Sequence, residues 1–190
     1  IFIGDATKFS ILGVINTVIG LIAVALFPAL TAKFSRRKLF FASIAIMLVA
    51  LLIYAASGTN VMMALIGAGL FALPQPLVFL VVLMTITDSV EYGQLKIGHR
   101  DEAVCLCVRP LVDKFAGAVS SGIIGLVAVW VGMTGGASAA DIKPDALFHF
   151  QIVMFAAPIV LMVIASFIYR AKVTLTEAEH ARIVHELEEK

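Results

Sequence analysis

The chain has 190 residues, 61% of them hydrophobic and 14% charged, with a formal net charge of +1 and a mean hydropathy of +1.04. So much apolar composition excludes an ordinary water-soluble domain, and the near-neutral balance excludes a basic field of the kind that holds nucleic acid. No nucleophile–base pair, metal-ligand cluster or glycine-rich phosphate loop stands in a plausible context, so the expectation is no enzyme, no metal and no cofactor.

A helix crosses about 30 Å of hydrocarbon with about 20 apolar residues, because each residue rises about 1.5 Å. Five stretches meet that length, over residues 9–32, 39–56, 61–86, 104–131 and 147–169. In lipid every backbone N–H and C=O needs an internal partner, and barrel-type alternation is absent, so all five are expected to be helices. The fold class is therefore all-α transmembrane: a bundle over residues 1–173, and a short tail helix or the start of a linker over 174–190. Ile1 is no initiator Met and no signal sequence precedes the first span, so the chain reads as a fragment.

The first span carries Asn16 and Thr17, which either line a pore or glue helices together. Lys33, Arg36, Arg37 and Lys38 follow it, and a second span without charge comes next. The third contains Pro74, Gln75 and Pro76, where two missing backbone donors predict a bend. Gln75 either reaches a substrate from that bend or satisfies the freed carbonyls.

Between the third and fourth spans lies the densest polar segment, read as a loop: Asp88, Glu91, Tyr92, Gly93, Gln94, Lys96, Gly98, His99, Arg100, Asp101 and Glu102. His99 and Glu102, three apart, are placed to share a proton or a hydrogen bond; the plain alternative is a solvated His beside an N-terminal Glu. Cys105 and Cys107, two apart on one helix, cannot form an ordinary disulfide with each other.

Only the fourth span holds charge in its interior: Arg109, Asp113 and Lys114. Arg109 and Asp113, four apart, form a structural ion pair. Lys114 lies too deep to reach the surface easily and is expected to face a polar cavity. Lys114, Gly117, Ser121 and Gly125 fall on one helical stripe. That stripe lines a binding site, or lets a neighbouring helix approach closely.

The fifth span ends at Arg170 and Lys172, and in the tail Thr176 and Glu179 have capping-box spacing. Ala178, Ile183, Val184 and Leu187 give the tail helix a thin apolar stripe. Since Lys- and Arg-rich connections stay in the cytoplasm, residues 33–38, 96–100 and 170–172 are expected there. The connections 57–60 and 132–146 then lie outside, and the C-terminus of this multi-pass protein is cytosolic.

The run Asp88-Ser-Val-Glu91-Tyr92-Gly93-Gln94-Leu-Lys96-Ile-Gly98-His99-Arg100-Asp-Glu102 resembles the signature of the glycoside-pentoside-hexuronide:cation symporters, of the major facilitator fold. Val108-Arg109-Pro110-Leu111-Val112-Asp113-Lys114-Phe115-Ala116-Gly117 is similar to their lactose and galactoside permease branch. The resemblance implies sugar:cation symport by alternating access across the cell membrane, with a galactoside as cargo and H⁺ or Na⁺ as coupling ion. It makes the five spans the last five of twelve, with residues 1–10 as an external turn, and the missing N-terminal half as partner. It gives Lys114 a role between cation and sugar sites, and implies a phosphotransferase-like regulatory domain after the last span. The remaining alternatives are another glycoside, pentoside or hexuronide as cargo, or a non-transporting membrane fragment.

Overall fold

A computed structural model describes residues 6–189, except 59, 131 and 133–143. Seven helices are present among them: α1 Ala6–Lys33, α2 Arg36–Ala56, α3 Val61–Ala72, α4 Gln75–Ile97, α5 Glu102–Trp130, α6 Pro144–Lys172 and α7 Glu177–Glu188. No strand occurs among the described residues. Five segments are long and apolar enough to cross a membrane: α1, α2, α3 together with α4, α5 and α6. The protein is thus a multi-pass, all-α membrane bundle. The expected outer connection around Lys143 lies outside the described residues.

Local chemistry sets the helix ends. Ser35 caps α2, its side chain accepting from the Lys38 N–H, and Asn60 caps α3 by accepting from the Met63 N–H. The α3 helix stops at Leu73, and α4 resumes from Pro74, which lacks the N–H a continuous ladder requires. Gly98 ends α4 with φ 85°, a left-handed conformation that favours glycine, and donates to the Gln94 carbonyl at 2.9 Å.

Two sequence expectations need correction here. Residues 88–97 are not a loop but the last turns of α4, and the connection to α5 is only 98–101. Val61–Ile97 is 37 residues long, about 55 Å of helix, against a hydrocarbon core of about 30 Å. The stretch formed by α3 and α4 is longer than the hydrocarbon core requires, which puts the polar last turns of α4 past the apolar layer by length. Residues 6–10, expected in an external turn, already belong to α1.

The core sits around α2, which packs against α1, α3, α4 and α6. Phe40 of α2 stacks on Tyr169 of α6 at 3.9 Å between centroids, within a cluster that includes Ala23, Phe27, Ile44, Leu77 and Val81. Gly67 of α3 faces Tyr54 of α2, where an added Cβ would stand 2.9 Å from the Tyr54 backbone nitrogen. Only a residue without a side chain permits that approach. By contrast, α5 rests chiefly on α4 and none of its described residues is buried.

Candidate functional site

Lys114 stands on α5 twelve residues after Glu102, about 18 Å along the axis and near the middle of a 29-residue helix. Its side chain is exposed and makes no hydrogen bond or ion pair with the described residues. Gly117, Ser121 and Gly125 lie on the same stripe, also exposed, and a Cβ added at either glycine would meet nothing within 4 Å. The stripe therefore carries no neighbour among the described helices.

Arg109 is one of the few partly shielded polar groups of α5. Its Nε donates to Asp113 Oδ2 at 3.1 Å, and its guanidinium lies 3.9 Å from the centroid of Phe79 on α4. Nη1 is buried without a partner among the described residues. An arginine held over an aromatic face by its own carboxylate is a cation–π clasp between α5 and α4. The Phe79 contact could not be read from sequence, because the two residues are on different helices.

The remaining sequence candidates separate into two places. Asn16 and Gln75 are exposed; Thr17 returns its hydroxyl to the Gly13 carbonyl at 2.9 Å. His99 does not pair with Glu102. Its Nε2 lies 2.9 Å from Asp101 Oδ2, while Glu102 accepts from Arg100 Nε at 2.8 Å. The short turn before α5 brings each basic side chain to the acid two residues on, and the expected i, i+3 helical register does not begin until Glu102 itself.

Asp88, Glu91, Tyr92, Gly93 and Lys96, named from the sequence as a polar motif, share the last turns of α4, and sequence reasoning missed that Asp88 and Glu91 meet Arg36 and His180 there. Arg36, the first residue of α2, pairs with Asp88, and its backbone N–H donates to Glu177 at the start of α7. His180 of α7 turns Nε2 to Glu91, with Asp88 Oδ1 at 3.4 Å. Arg37 donates to the Arg170 carbonyl at 3.2 Å, and Lys96 lies 4.7 Å from the Tyr92 ring centroid. Beside this cluster, a cavity of about 410 Å³ opens between α4 and α7, lined in part by Ser89, Tyr92, Lys172 and Arg182. No group of three or more His, Cys, Asp or Glu side chains able to hold a metal ion occurs among the described residues.

Residues 1–175 match the family model described as MFS/sugar transport protein. The chain belongs to this family. It is 50% identical over 97% of its length to the raffinose carrier protein of Pediococcus pentosaceus. It is equally 50% identical over 98% of its length to the lactose permease of Lactobacillus delbrueckii subsp. bulgaricus. The lactose permease of Lactobacillus helveticus is 41% identical over 99%. These relatives bear out the resemblance drawn from the α4 signature and the α5 segment. The chain spans about 30% of the length of each.

Proposed function

We propose that the chain forms part of a sugar:cation symporter of the cytoplasmic membrane, with a galactoside as cargo and H⁺ as coupling ion, working by alternating access. The observation that carries this reading is the lone ammonium of Lys114, placed near the middle of a spanning helix on a small-residue stripe. A charge at that depth costs a few kcal/mol or more without a polar partner, so it is kept where a wet cavity or a ligand receives it. The family match and relatives named for raffinose and lactose support sugar as that ligand. Both sugars present a terminal galactosyl unit, which favours a galactoside over a pentoside or hexuronide.

Coupling requires that cation and sugar each favour the state in which the other binds, a linkage worth about 1 to 3 kcal/mol. Lys114 can supply it by holding an empty carboxylate site and exchanging that contact for sugar hydroxyls when the cation arrives. Gly117 and Ser121 leave room beside it, and Gln75 and Asn16 are further candidates for contact with the cargo. His99, in its exposed pair with Asp101, and Glu102 next to it are the candidates for proton coupling. The basic end of the bundle, with α7, faces the cytosol by the positive-inside rule. The site would be completed by an N-terminal half, and a phosphotransferase-like domain would regulate it. The reading is of a carrier, with no catalytic group and no cofactor beyond the coupling ion.

The deciding experiment is uphill galactoside uptake by the full natural chain carrying Lys114→Ala, beside its amount in the membrane. Accumulation should fall by a factor of about 10 or more, the equivalent of one lost coupling contact, while insertion is unchanged. Normal uphill uptake removes Lys114 from the mechanism. A panel of competing glycosides, pentosides and hexuronides then fixes the cargo. A membrane protein that binds none of them and moves none would be a non-transporting one.

A further inference from the structure

We infer that α7 is a proton-dependent strap: His180, when protonated, clasps the tail helix to the end of α4 and through it to the start of α2. The geometry is that of one imidazole nitrogen facing two carboxylates, Glu91 and Asp88, which stand one turn apart on α4. Side-chain exposure is 20% for His180, 14% for Asp88 and 22% for Glu91, so water screens this group poorly. Charged groups facing it from each packed element are few. Asp88 and Glu91 come from α4, Arg36 from α2 on the far oxygen of Asp88, and Glu177 from the first turn of α7, accepting the Arg36 backbone N–H.

Three carboxylates, Asp88, Glu91 and Glu177, thus stand against one guanidinium. An imidazolium offsets part of this excess of negative charge, donating to Glu91 with Asp88 beside it, whereas a neutral imidazole leaves the excess in a shielded site. The rest of the dock is thin. Ile183 is the one buried residue described in α7, and the link from α6 is only residues 173–176. With so little apolar hold, the state of one proton is a large share of what keeps the helix in place. The contacts of His180 with Glu91 and Asp88 are the ones that a change of charge on its imidazole makes or breaks.

The α7 helix itself should stay intact as that charge changes. Its capping box joins Thr176 and Glu179 in both directions, and the backbone and hydroxyl hydrogen bonds from Thr176 hold the Glu179 carboxyl below its usual range. The other described imidazole of α7, His185, pairs with Glu189 on the exposed side of the helix at 3.4 Å and provides the control. The strap does not depend on which solute the protein carries.

The test is hydrogen–deuterium exchange of residues 177–188 in the full natural chain reconstituted in lipid nanodiscs, corrected for intrinsic exchange. Protection should be about five-fold greater at about pH 5.5 than at about pH 8. His180→Arg, which keeps the charge at every pH, should protect α7 at both values, and His185→Gln should keep the wild-type ratio. If His180→Arg is poorly accommodated, Glu91→Gln serves in its place by removing one of the two acceptors, and should cut the ratio to less than about two-fold. Equal wild-type protection at the two pH values overturns the strap, as does a ratio that survives His180→Arg or Glu91→Gln, or one abolished by His185→Gln.

Discussion

Arg109 illustrates how a charged side chain is kept on a spanning helix. Its carboxylate partner lies one turn away on the same helix, and its flat face is covered by Phe79 of the neighbouring one. Removing the guanidinium loses both contacts and leaves Asp113 unpaired. Arg109→Ala should therefore destabilise the α4–α5 contact by about 1 to 3 kcal/mol, with Phe79→Leu costing less, about 0.5 to 1 kcal/mol. Thermal unfolding in detergent of the two single variants and the double variant checks this, since a non-zero coupling energy is required. Lys114 is the opposite case, a cation with no described partner, and its substitution should therefore leave stability unchanged in the same assay.

Among the elements, the α2–α3 pair and α7 make contrasting demands. At Gly67 a methyl group would press on the Tyr54 backbone, which cannot swing aside as a side chain can. Gly67→Ala should lower stability by about 1 to 3 kcal/mol. Gly117→Ala, with open space around it in these helices, should be nearly neutral in the same unfolding assay, so equal effects at the two glycines would contradict the close approach. The α7 cap depends on pH with the sign of a lowered acid. The hydrogen bonds to Glu179 are fully present above the ordinary carboxylate range and are lost only as pH falls through the lowered value. Helix content of α7, followed by residue-resolved exchange on acidification, should thus hold through mildly acidic pH and fray below the usual carboxylate range. Thr176→Ala should bring that fraying to neutral pH.

At the scale of the whole molecule, α2 is enclosed by four helices while α5 is open along its described length. Exchange in this chain alone should therefore be slowest in α2 and fastest among the spans in α5. Addition of the remaining part of a full-length relative should slow α5 by about ten-fold or more and leave α2 unchanged. An α5 already as protected as α2 would mean that its exposed stripe has found another partner.

Much of this architecture was legible in the residues. Apolar runs of sufficient length determined the five spans, because the bilayer leaves no other use for them, and Pro74 with Pro76 marked the interruption between α3 and α4. Spacing alone placed Arg109 beside Asp113 and Thr176 beside Glu179, since a helix brings such neighbours together wherever it lies. The end of α4 was misread because a helix that leaves the membrane acquires the polar composition of a loop. The signal available was the spacing of Asp88, Glu91, Tyr92 and Lys96 at three and four residues, with no break before Gly98. Only the tertiary structure decided that Arg36, Asp88, Glu91 and His180 form one cluster, across separations of 52 and 89 residues. Local sequence fixes which groups lie on one helix, whereas charges on different helices meet only where packing sets the helix ends side by side.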